Sequence, residues 1–192
     1  AACDTSLAVD GDATAFAKAL GLCNASTGKA WGVVSASYTD GYLSTKSPAA
    51  QHHGILNKFG GNLTATEGKS LGVLSTGYAR EYNTAGSGTN SFRAGGSDPL
   101  FGTPKAGKIP TGYPKPAAGC IVAKDTYDVT TAKLQIQVPK NAKGLSFDFN
   151  FYTSEWPQFV CTEWNDGFLA FLTMVRALVV RDARQREGNT DT

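Results

Sequence analysis

A chain of 192 residues, 41% of them hydrophobic, carries enough apolar material for one sizeable core and needs no second domain. Eighteen basic against sixteen acidic side chains leave a net charge of +2, too balanced and dispersed to draw in nucleic acid or an anionic membrane by field alone. No apolar run reaches the ~18 residues that a membrane span needs, so membrane insertion is not expected of this chain.

The opening residues read as a stapled helix. Asp10-Gly-Asp12 precedes Ala13, Ala15, Phe16, Ala17, Ala19 and Leu20, so an aspartate caps a short helix that Gly21 can close in a left-handed conformation. Cys23 follows directly and lies within reach of Cys3. A start at Ala1-Ala2-Cys3 suits a mature terminus left after cleavage of a leader.

Further along, WGVVSASY from Trp31 to Tyr38 reads as a strand, and so does Leu71 to Ser75. Between them stand His52 and His53, the chain's two imidazoles, which are expected in a loop. As neighbours on an extended strand they would point to opposite faces, which argues against a two-His metal site. From Gly77 to Gly119 runs a long glycine- and proline-rich segment with aromatics at Tyr78, Tyr82, Phe92, Phe101 and Tyr113. Loops of that length serve as binding surfaces or linkers, but aromatics in irregular segments more often pack, so these are expected to pin the loop down. Leu134, Ile136 and Val138 then alternate with Gln135 and Gln137 in a strand stopped by Pro139, and Asn141 to Gly144 turns the chain.

The stretch from Leu145 to Leu172 is the most distinctive. Leu145, Phe147, Phe149 and Phe151 alternate with Ser146, Asp148, Asn150 and Tyr152, the period of a strand whose odd face joins the core. Phe168 to Leu172 is apolar in both parities, so a central strand covered on both faces is expected there. If the two strands are antiparallel neighbours, the connection from Thr153 to Gly167 crowds Glu155, Glu163, Asn165 and Asp166 at one end of the sheet.

The run SFDFNFYTSEWPQFVCTEWNDGFLAFL resembles the hallmark of the choice-of-anchor L domains, which occur in secreted or surface-exposed bacterial proteins with varied anchoring or sorting signals. The likeness extends to LGVLSTGYA at 71–79, to the aspartate and strand before VPKNAKGLSF, and to the opening ACD and AKALGLC, and so covers most of 1–172. Ser154-Glu155, the proline two residues after Glu155, and Asn165-Asp166 fall at the matching spacing. The resemblance implies an extracellular domain of no established catalytic activity.

Four cysteines, Cys3, Cys23, Cys120 and Cys161, fit neither a zinc knuckle nor a thioredoxin-like motif. Their even number and the family's location favour disulfides over four buried thiols. Three connectivities are open. The one closing the smallest loops pairs Cys3 with Cys23 and Cys120 with Cys161, each bridge adding ~3–4 kcal/mol in the loop-entropy picture.

Glu155, Asn165 and Asp166, with Asp148, are the candidate metal ligands, because carboxylates and an amide carbonyl are the hard oxygen donors that Ca2+ takes. The structural alternative is that Asn165-Asp166-Gly167 is a tight turn that Glu155 braces through backbone N–H groups. A third reading makes the acids a glycosidase-like pair, with Trp156 or Trp164 as a stacking platform. The glycine-rich AGSGTN lacks the Lys-Ser or Lys-Thr of a phosphate loop.

After Thr173 the character changes: Arg176, Arg181, Arg184 and Arg186 are four of six arginines, while all twelve lysines lie earlier. Two domain-level segments are therefore expected, a β-sandwich over 1–172 that lacks its last strands and an atypical arginine-rich tail over 173–192. The fold expected is mainly β, an antiparallel, jelly-roll-like sandwich with a short amino-terminal helix and two disulfides. The function expected is a non-catalytic, secreted or cell-surface binding or structural module, stabilised by Ca2+ if the acids hold it, with an extracellular glycan or protein as ligand. The alternative is a secreted glycan hydrolase using Glu155 and Asp166.

Overall fold

A computed structural model of the protein describes residues 3–28, 30–59, 63–80, 105–153, 155–164 and 166–173. The first element, α1 (Ala13–Ala19), begins where Asp12 adopts an extended conformation and its side chain accepts a 2.8 Å bond from the Ala15 amide. It ends on Gly21, whose φ of +81° is the left-handed geometry glycine takes without a Cβ penalty. The strands are β1 (Gly32–Thr39), β2 (His53–Leu56), β3 (Lys58–Phe59), β4 (Leu63–Thr64), β5 (Leu71–Leu74) and β6 (Thr131–Gln137). A single 3-10 turn, Ala50–His52, leads into β2.

The strands pair antiparallel into three two-stranded sheets: β1 with β6, β2 with β5, and β3 with β4. The fold is therefore mainly β with little helix. On β6 the expected alternation holds for Leu134 and Ile136, half-buried between exposed Lys133, Gln135 and Gln137, but the strand ends at Gln137 and Val138 is exposed instead of joining the buried face. In β1 the register slips between Val33 and Ser35, which leaves Val34 exposed beside buried Val33 and breaks the strict period of two.

Phe16, Ala19 and Ile55 form the core cluster, with Leu7, Ala15, Tyr38, Leu74 and Ala132 packed against it. The helix thus lies over both β1 and the β2–β5 pair. Gly72 in β5 makes this approach available, because a Cβ there would stand 2.6 Å from the Phe16 ring. At the helix's far end Cys3 and Cys23 are disulfide-bonded, and the strand-like segment that follows is stitched to β1 by Ser26 N–H to Val33 O at 2.8 Å and Val33 N–H to Asn24 O at 2.8 Å.

Both histidines belong to this packed region, which corrects the expectation of loop residues. His52 closes the 3-10 turn and is buried, with Nδ1 at 3.3 Å from the Thr130 hydroxyl. His53 opens β2 and stacks on the Tyr38 ring at 3.7 Å between centroids. Burial depresses the basicity of both. For His53 the Arg80 charge adds to the effect; for His52 the Asp128 charge partly opposes it.

The largest correction concerns 145–152 and 168–172. Neither run forms a strand, and their apolar side chains stand open, from 39% at Leu169 to 63% at Leu145. The odd face is not core, and Phe168 to Leu172 is not a central strand covered on both faces. A strand exists only where a neighbour takes up its backbone N–H and C=O groups, and among the described residues none does so here. The two runs nonetheless lie side by side, with Phe149 and Phe168 stacked at 4.6 Å and Phe147 edge-on to Phe168 at 6.4 Å. Of the long loop, residues 81–104, with Tyr82, Phe92 and Phe101, lie outside the described residues, as does the tail from 174. Tyr113 is exposed with the Lys115 ammonium 4.9 Å above its ring, so it does not pin the loop to the sheets.

Candidate functional site

The connection from Thr153 to Gly167 folds back on itself. Phe159 N–H bonds to Glu155 O at 2.8 Å and Thr162 N–H to Phe159 O at 3.1 Å, which winds the middle of the loop into consecutive turns. Cys161, at the end of these turns, is disulfide-bonded to Cys120, and Ile121 N–H reaches Cys161 O at 3.2 Å. The bridge therefore ties the loop to the segment before β6.

At the loop's base the two ends meet. The Asp166 amide donates to Glu155 Oε2 at 2.6 Å, and the Thr153 hydroxyl donates to Asp166 Oδ2 at 3.0 Å while accepting from the Glu155 amide at 3.2 Å. Glu155 and Asp166 are thus brought to one rim, and Glu155 braces the turn through a backbone N–H. Partial burial pushes the Glu155 carboxyl above the usual carboxylate range; the Asp166 amide opposes this and the Asp166 charge reinforces it.

Asp148 lies exposed on the strand-less run, Asn165 is outside the described residues, and among the described residues no three His, Cys, Asp or Glu side chains gather closely enough to hold an ion. Two carboxylates fall short of the six to eight oxygens Ca2+ takes, so backbone carbonyls and Asn165 would have to supply the remainder. Chemically, the loop offers something else as well. Trp156 is 74% and Trp164 58% exposed, an unusual presentation for the most apolar-bodied side chains in the chain.

No family model, curated protein or solved structure matches the chain. Function must therefore be argued from the loop and its surroundings.

The sequence brings Glu155 and Asp166 together on the expectation of two antiparallel strands flanking the long connection; the strands do not form, but the flanking runs lie side by side and the two residues meet. It did not reveal the role of Thr153, whose hydroxyl links both ends; a threonine two residues before the acid was the available signal. It also missed Asp4. That carboxylate is buried and accepts from the Lys69 and Ser70 amides, with the Ser70 hydroxyl donating to Asp4 O at 2.8 Å. The Lys69 amide holds the Asp4 carboxyl below its ordinary range.

Proposed function

We propose that the chain is a non-catalytic, secreted or surface-displayed binding module of the choice-of-anchor L kind, with the 153–167 loop as its recognition face and an extracellular glycan as its ligand. The two exposed indoles at Trp156 and Trp164 carry this reading, because flat apolar rings beside carboxylates match the alternating apolar and hydroxyl faces of a sugar. The two disulfides fit an oxidising location, and no helix among the described residues is long and apolar enough to cross a membrane. A β-sandwich is the fold that such a module would have.

Trp156→Ala and Trp164→Ala are each expected to weaken binding to a panel of immobilised polysaccharides about tenfold or more, with the melting temperature unchanged. Retained glycan binding in both variants would sink the reading, and binding only to extracellular protein would redirect it. Calcium is tested separately. If Ca2+ sits on Glu155 and Asp166, the melting temperature rises on adding it and the rise disappears in Asp166→Asn.

The raised carboxyl of Glu155 favours a second reading, in which it acts as the general acid of a glycan hydrolase. Glycan cleavage abolished by Glu155→Gln in a folded chain would establish it.

A further inference from the structure

Residues 145–152 and 168–172 combine two features that a folded chain rarely leaves together. Among the described residues, no backbone group in either run has a ladder partner, and their apolar side chains stand 39–63% open. Such an edge is a template for another strand. At the ~200 Å2 typical of an aromatic side chain, the exposed apolar surface of the two runs comes to roughly 800 Å2, well above what a monomer ordinarily leaves uncovered. It is also close to the ~800 Å2 that each partner contributes to a stable interface.

We propose that this face is the interface of a symmetric dimer, in which residues 147–151 pair antiparallel with the same residues of a second copy about a two-fold axis at Phe149. An antiparallel pair about a two-fold is self-complementary and closes after two chains, so it covers the edge without building a fibre. The sequence selects the register. Centring on Phe149 sets Phe149 against Phe149 and Phe147 against Phe151, so all three phenylalanines meet phenylalanines on one face. On the other face it sets Asp148 opposite Asn150 of the second copy. Centring on Asp148 would oppose two carboxylates, and centring on Asn150 would set Phe147 against Thr153. The Phe147, Phe149 and Phe168 contacts already present a continuous aromatic patch for the second copy to seat upon.

The test is sedimentation equilibrium of the intact, oxidised chain across the micromolar range. Wild type is expected to dimerise. Asn150→Lys places an ammonium opposite Asp148 on both sides of the axis and is expected to tighten the dimer between about twofold and thirtyfold. Phe149→Asp sets two carboxylates against each other on the axis and is expected to weaken it at least tenfold. Asn150 is exposed, so the lysine variant tests the register even if the aspartate variant fails to fold. A wild-type chain that stays monomeric overturns the proposal, and so does a dimer indifferent to both substitutions.

Discussion

Buried ionisable side chains give the protein two separate sensitivities to acid. His52 and His53 both titrate below the ordinary histidine value of 6.5 in the fold, and among the described residues neither His52 Nε2 nor His53 Nδ1 has a hydrogen-bond partner. Below pH 6.5 the unfolded chain therefore binds protons that the folded chain refuses, and stability falls as pH falls through that window. Asp4 acts lower on the scale. Its folded carboxyl sits below the ordinary 3.8, so its contribution is present above that value and is lost as pH drops through the folded one. Denaturant titrations at a series of pH values should show the first loss beginning near 6.5 in wild type and flattened in a His52→Gln, His53→Gln double variant. Asp4→Asn should leave that first loss intact and lower the melting temperature at neutral pH. The charges facing the imidazoles are Asp128 and Lys105 for His52 and Arg80 for His53, so the slope should also respond to salt.

Between elements, the helix meets the β2–β5 pair at Ile55 and at one small residue, Gly72. Gly72 admits the Phe16 ring, which also meets Tyr38 edge-on at 5.6 Å. Gly72→Ala inserts a methyl into that contact and should cost about 1–3 kcal/mol, measured by urea unfolding. Phe16→Ala, which empties the same contact, should cost about 3–5 kcal/mol. At this scale much was legible beforehand. The Asp12 cap, the Gly21 stop, the strand ending at Thr39 and the strand before Pro139 follow from local rules that act within a few residues. Residues 145–152 obey the same local rule without becoming a strand, because alternation states which face could be buried and says nothing of whether a neighbour is there to bury it.

Across the whole molecule, the disulfides connect what the small sheets do not. Cys3–Cys23 closes a loop of sequence separation 20 and Cys120–Cys161 one of separation 41, the latter joining the 153–167 loop to the segment before β6. Reduction should therefore lower the melting temperature, each bridge being worth about 3–4 kcal/mol. Cys120→Ser with Cys161→Ser should also weaken any ligand held by the Trp156 and Trp164 loop, while Cys3→Ser with Cys23→Ser should affect stability alone. The distinction arises because the first bridge joins the residues flanking α1, whereas the second ends at Cys161 within the 153–167 loop itself.

From residue order alone come the capped helix, β1, β5 and β6, since each depends on local conformation; which of three cysteine pairings forms was decided by the fold. Tertiary structure alone decided the burial of His52 and half-burial of His53, the locking of Asp4 onto Lys69 and Ser70, and the exposure of the phenylalanine runs. Those depend on which distant segments arrive as neighbours, and burial, unlike periodicity, is a property of the neighbours and not of the strand itself.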